Sequence, residues 1–443
     1  MRSEEDLIRT LRTAAGHAGS DGLASAVAAR RRVRRVRQRI QMVLAAAAVV
    51  VVAGGTAAVL SRGGEQVRPA VTVTAVPATP TVQEAVAEQK IRPAAEVWPG
   101  AVVTMPAKAA DGWKYRPVTG LSPTEVLVSA ESSFEKAGRL EVYDSAARSA
   151  RVLGDVPAPE GVKGYFVQDF EVGEQHIAWY GTTPNTPDKW ADFWIMPRAG
   201  GTAKRVGEVT GPMSEVDRIG VTGDSVVWSV EQGGVYRMPL TGGAPERVAD
   251  GLHLMSWPLA AGYATGGESG RKTQDRVVNL ETGQTVTVPA PAGVTFLACG
   301  PVWCYGADDD NRTIVQRHDG SDRRDLPAAV RLHGMSELLG DRFALLIAYQ
   351  RGNPAKEYVP RVATYDPVTG LTGGISRMPS DGGGGGFGRG ISSSPTTIVY
   401  WDEDVRHVDV CKTRSGSRSC TTKERGGGKE LTVLNLAAVT AGD

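Results

Sequence analysis

Two stretches decide the fold: HIAWYGTT at 176–183 followed by DFWIMPRAGGTAKRVGEVT at 192–210, and SVVWSVEQ at 225–232 followed by GVYRMPLTGGAPERVAD at 234–250. They align turn for turn. Met196-Pro197 and Met238-Pro239 hold the same place, and each is followed by a glycine pair, Gly200-Gly201 and Gly242-Gly243, where a positive φ costs little and a hairpin reverses. The apolar runs have strand length, so each copy reads as strand, polar gap, strand, glycine turn and short apolar finish.

Weaker copies lie downstream. RVVNLETGQTVTV (276–288) turns at Thr282-Gly283, TIVQRHDGSDRRDL (313–326) at Asp319-Gly320, and RVATYDPVTGLTGGI (361–375) at Asp366-Pro367 and Thr369-Gly370. Leading strands begin near 126, 176, 225, 259, 301, 342 and 397, about 34 to 55 residues apart, the period of propeller blades that bury their faces only by stacking on neighbours. The expected fold is mainly β, a propeller of six or seven blades with seven preferred. Composition agrees, since 54 Gly and 26 Pro in 443 residues punctuate strands and exclude an all-helical chain, and 41% hydrophobic content excludes wholesale disorder.

These units resemble those of TolB-type and WD-repeat-like β-propellers over roughly residues 120–440. The resemblance implies an architecture and no particular activity. The whole layout is also similar to single-pass membrane proteins of high-GC actinobacteria, with Arg well in excess of Lys.

That layout begins with charge. The formal net charge of +1 conceals about +6 before residue 40, ten arginines against four acids. Ile40 to Leu60 (IQMVLAAAAVVVVAGGTAAVL) carries no charge, and a helix of that length spans the roughly 30 Å hydrocarbon core. Arg30, Arg31, Arg32, Arg34, Arg35, Arg37 and Arg39 precede it, so the expected topology keeps the N-terminus in the cytoplasm and places the C-terminal domain outside the cell membrane. A cleaved signal peptide competes with this uncleaved anchor, because Gly54 to Ala58 are small, although a region of 39 residues before the apolar run is long for one.

The expected domains are a cytoplasmic tail (1–39), a transmembrane helix (40–60), a Pro/Thr/Val-rich tether (61–96) and an extracytoplasmic propeller (97–443). In the tail, EEDLIRTLRTAA (4–15) spaces Leu7, Ile8 and Leu11 as a short amphipathic helix, a candidate contact for a cytoplasmic partner such as a sigma factor. His17 stands there without cysteine, so a zinc-type anti-sigma domain lacks its ligands.

All four cysteines follow the span, in two local pairs, CGPVWC (299–304) and CKTRSGSRSC (411–420). Two disulfides, Cys299 with Cys304 and Cys411 with Cys420, are expected; the spacings of four and eight do not suit four thiolates on one zinc. Other motifs carry no chemistry. Gly383, Gly385 and Gly388 satisfy GxGxxG inside GGGGGFGRG and read as a flexible loop. Ser133-Phe134-Glu135-Lys136 matches SxxK without its partner motifs. Asp308, Asp309, Asp310 and Asn311 lack the alternation of a calcium loop. His176, His253, His318, His333 and His407 show no mutual metal spacing, and Trp179, Trp228, Trp303 and Trp401, at equivalent strand positions, read as blade core.

No catalytic, cofactor or metal residues are expected, nor nucleic-acid binding. The reading is a binding, scaffold or sensor module for an extracytoplasmic protein, peptide or glycan, not an enzyme; a propeller-type hydrolase or lyase at the channel mouth is the alternative.

Overall fold

The computed structural model describes residues 90–440 apart from short stretches at 134–135, 163, 184–188, 265–272, 333–337, 379–383, 415–416 and 426. Residues 1–89, which include the expected cytoplasmic tail, the expected transmembrane helix at 40–60 and most of the expected tether, lie outside the described residues. Among those described, no helix is long and apolar enough to cross a membrane.

Seven separate antiparallel sheets follow one another along the chain, at 114–155, 166–210, 216–250, 253–287, 294–325, 330–377 and 384–435. This is a seven-bladed β-propeller. The leading strands anticipated from sequence are the second strands of the blades: Glu125–Ser133, His176–Thr182, Ser225–Val230, Leu259–Tyr263, Trp303–Asp308, Ala344–Ala348 and Ile398–Arg414. They are the apolar runs because a neighbouring blade covers each face; every residue of Ser225–Val230 is buried. Outer strands face solvent on one side, and Thr285–Thr287 is exposed throughout. The first strands of adjacent blades, such as Val216–Val221 beside Phe166–Val172 and His253–Ser256, converge on the axis.

Each junction between consecutive blades has its own apolar core. Blades one and two meet through Leu127, Leu140, Trp179 and Met196, and blades two and three through Phe193 and Trp228, whose rings lie 4.5 Å apart. The seam between blades three and four is thin, with Val235, Leu252 and Ala260 as its buried residues. The recurring Met-Pro-x-x-Gly-Gly turn is an inter-blade joint. Gly200 and Gly242 take φ of +102° and +91°, their N–H groups donate to the carbonyls of Pro197 and Pro239, and Met196 and Met238 rest on Gly154 and Gly207 of the preceding blade's outer strand. A Cβ on Gly154 would come 2.3 Å from the Gly201 carbonyl oxygen.

Ring closure uses both ends of the described chain. Val102–Pro106 is the outermost strand of blade seven, paired antiparallel with Glu430–Asn435 from Val102 opposite Leu434 to Pro106 opposite Glu430. Just before it, Arg92–Pro93 adds a parallel strand to blade six beside Gly373 and Gly374. Between the two, Trp98 is buried at the junction, meeting Phe343 edge-on at 6.1 Å and lying over Gly373, where a Cβ would be 2.5 Å from the indole. Residues 90–96, read from sequence as the end of the tether, are thus part of the folded unit, with Ile91 and Ala94 in its core. Pro93 is accommodated because it stands in an edge strand, where a missing N–H is tolerated.

Gly384–Arg389 is the inner strand of blade seven, not a loop: Phe387 pairs with Trp401 and Gly388 with Tyr400. Absence of a side chain is what the position requires, since a Cβ on Gly388 would stand 2.5 Å from the Tyr400 ring.

Trp98→Ala removes the shared anchor of blades six and seven and is expected to lower unfolding free energy by about 3–5 kcal/mol. Val286→Ala, at an exposed outer-strand site, is expected to stay within about 0.5 kcal/mol. Denaturant melts of the two variants check this contrast.

Candidate functional site

The segment between the inner and second strands of blade seven, residues 390–397 (GISSSPTT), is bonded to the inner strands of several other blades as a strap. Ile391 N–H donates to the Pro117 carbonyl and Thr396 Oγ1 to that of Val118 in blade one. Ser393 N–H donates to the Phe170 carbonyl of blade two at 2.6 Å, and Ser392 bridges Phe170 in parallel fashion. From blade three, Ile219 N–H donates to Ser393 Oγ at 2.7 Å, and Arg218 Nη1 donates to the Ser393 carbonyl at 2.5 Å and to that of Met255 at 3.2 Å. Gly340 N–H of blade six donates to the Thr396 carbonyl. Gly390 permits the crossing, since a Cβ there would lie 2.0 Å from the Val118 oxygen.

Buried charge fixes the strap. Glu171, at the end of blade two's inner strand, accepts from Ser394 N–H and from Ser394 Oγ, each at 2.7 Å. Burial pushes its carboxyl up to about 7; the Ser394 bonds and Arg218 oppose the shift, and Asp341 adds to it. Asp341, with φ of +59°, is likewise pushed up by burial, to about 6, with Arg218 opposing. Its Oδ1 is buried with no hydrogen-bond partner among the described atoms. Arg218 thus bears electrostatically on both carboxyls under the strap, opposing the rise that burial gives each.

Sequence reasoning singled out none of Glu171, Arg218, Asp341, Ser393 or Ser394. They stand on four blades, and a single sequence gives no signal that loops from distant repeats converge. Other buried carboxylates brace single blades from within. Asp192 accepts from the Tyr165 hydroxyl, Trp194 Nε1 and Arg205 Nε, and Asp366 from Arg342 and Thr369, the latter inside the Asp-Pro-Val-Thr-Gly turn.

The residues anticipated from sequence are dispersed. Cys299 and Cys304 form a disulfide across the turn between the first two strands of blade five. Cys411 and Cys420 are opposed in register on the paired strands Ile398–Arg414 and Ser417–Arg425, and their side chains lie outside the described residues. Trp179, Trp228 and Trp401 occupy the fourth place of their second strands, buried in three junctions. Trp303 instead opens its strand, under the guanidinium groups of Arg317 at 4.7 Å and Arg324 at 5.9 Å. The fourth place of that strand is held by Gly306, where a Cβ would lie 2.5 Å from the Phe296 carbonyl oxygen.

Asp308 to Asn311 form a turn in which the Asp308 carboxylate accepts from Arg312 N–H and Nε. Ser133 and Lys136 face each other at a hairpin end. His176 opens a second strand, His253 Nδ1 lies 3.0 Å from Asp217 Oδ2, and His318 sits beside the disulfide with its pKa pushed down by burial. His333 and the side chain of His407 lie outside the described residues.

No protein-family model matches the chain, and no curated protein does. Among solved structures it is similar to the computationally designed Ika8 protein, 13% identical over 75% of this chain and 99% of that one, TM-score 0.40. It is also similar to the uncharacterized protein lmo1340 from Listeria monocytogenes EGD-e, 11% identical over 69% and 94%, TM-score 0.40. The β-propeller domain of the Trilobed protease from Pyrococcus furiosus is 10% identical over 59% and 86%, TM-score 0.36. These likenesses concern fold alone, and the blade count rests on the chain's own seven sheets.

Glu171 is protonated more readily in the folded chain than its ordinary 4.5, so its contribution to stability is full below about pH 4.5 and is lost as pH rises through about 7. Urea melts in pH steps are expected to show the stability of the parent falling relative to Glu171→Gln across that window, by on the order of a few kcal/mol, and staying level above it. Parallel curves refute the assignment.

Proposed function

We propose that the chain is a single-pass membrane protein, N-terminus in the cytoplasm, whose TolB-like propeller stands outside the cell membrane as a binding, scaffold or sensor module for a protein, peptide or glycan. The strap carries this reading. Residues 390–397 are tied to blades one, two, three and six, which leaves less of the axis open to a substrate than a channel-mouth enzyme would use. Binding is left to the rim, the outer strands and the two-stranded arm of Ile398–Arg414 and Ser417–Arg425.

The charge-free run 40–60 behind seven arginines supports the anchor and its direction. The Cys299–Cys304 bridge fits an oxidising compartment, and a second bridge between the opposed Cys411 and Cys420 belongs to the same reading. Topology is tested by fusing alkaline phosphatase or green fluorescent protein after Asp443 of the full chain. The phosphatase is expected to be active in the membrane fraction and the fluorescent fusion dark; a cytosolic-only signal overturns the anchor.

Catalysis is tested with the full chain on peptide, ester and glycoside panels. No turnover above buffer is expected. Turnover that Glu171→Gln and Ser394→Ala both abolish selects the hydrolase or lyase instead.

A further inference from the structure

We propose that Cys299, Cys304 and His318, once the disulfide is reduced, form a three-ligand site for a thiophilic divalent cation, zinc foremost. The two sulfurs and a ring nitrogen of His318 lie within 4.8 Å of one another. Their closeness is set by backbone that reduction leaves in place. Val294–Cys299 pairs with Trp303–Asp308 so that Cys299 directly opposes Cys304 at a Cα separation of 3.9 Å, and Gly300 N–H donates to the Trp303 carbonyl at 2.8 Å.

The third donor comes from the next turn of the same blade. Trp303 pairs with Arg317, which sets the 317–321 turn beside the cysteine turn, and that turn is closed by Gly320 N–H to Arg317 O and Arg317 N–H to Ser321 O. His318 Nε2 contacts the Gly300 carbonyl oxygen. A carbonyl only accepts, so Nε2 carries the proton and Nδ1 keeps its lone pair. A metal-ligating histidine is ordinarily held this way, its second ring nitrogen donating to a carbonyl that fixes tautomer and ring orientation.

Two thiolates and one imidazole suit zinc and leave a fourth position for water. Cys304 is fully buried and His318 half-buried, so the site opens on the imidazole side. The four-residue spacing that argues against a zinc site in sequence is offset by the hairpin register, which does the work of a shorter spacing.

The chemistry balances. A dithiol reductant gives two electrons and two protons; the Cys299–Cys304 bond breaks to two thiols, and the reductant becomes its own disulfide. Metal binding then breaks the two S–H bonds and releases two protons. The site forms only where the bridge is reduced, and its test does not depend on the membrane reading.

The test uses the full chain, reduced with a dithiol, freed of it without oxygen and titrated with Co²⁺ as the spectroscopic probe. One equivalent is expected to bind with thiolate-to-cobalt charge-transfer absorbance, and Zn²⁺ is expected to displace it. The oxidised chain is expected to show no such band. His318→Ala is expected to weaken binding by at least about tenfold, and Cys411→Ser/Cys420→Ser to leave it unchanged. Circular dichroism of His318→Ala, a change at a half-buried turn position, confirms that the loss is not one of folding. The proposal is overturned if reduced chain binds no cobalt, if His318→Ala binds as tightly as the parent, or if binding follows Cys411 and Cys420.

Discussion

A four-stranded sheet with two apolar faces is unstable in water until something lies on both of them, and that constraint governs this molecule. Burial of apolar surface yields about 25 cal/mol per Å², and here it is divided among seven seams, none of which can be left open. The last seam is the costly one, because it joins blades distant in sequence. The chain meets the cost with Val102–Pro106, the outer strand of blade seven, whose Met105 packs into the seam with blade one, while Arg92–Pro93 and Trp98 tie the same segment to blade six. Stability of the ring is therefore linked to the segment through which the N-terminal region is attached.

What could be read in the sequence follows from where the physics is local. Second strands are covered on both faces, so they are continuously apolar and their starts were legible to within two residues from Glu125 to Ile398. The Met-Pro-x-x-Gly-Gly turn was legible because its requirements, positive φ and a small residue, are written in the residues that satisfy them. The inner strand Gly384–Arg389 was not. Inner strands of other blades carry full side chains, but here the Tyr400 ring of the neighbouring strand lies over Gly388, so the strand is glycine-rich and carries the signature of a loop.

The candidate site was invisible for a different reason. Glu171, Arg218 and Asp341 are unremarkable in their own repeats and acquire meaning only through the strap, which brings Ser393 and Ser394 to them from the far end of the chain. A ring of inner strands presents backbone groups to its axis that water or chain must satisfy. The strap satisfies those of Pro117, Val118, Phe170 and Ile219, and the buried carboxylate of Glu171 is tolerable because Ser394 donates to it twice.

The strap and the cysteine turn are physically contiguous. A Cβ on Gly300 would lie 2.5 Å from Leu338 Cδ1 and 3.2 Å from the Asp341 carbonyl oxygen, so the turn joining Cys299 to Cys304 is pressed against the loop that ends at Asp341. That loop in turn donates from Gly340 to the strap at Thr396, while Asp341 bears electrostatically on Glu171. Close packing passes displacement rather than absorbing it. A displacement at Gly300 therefore meets Leu338 and Asp341 first, and Asp341 is one of the groups that bear on Glu171 beneath the strap.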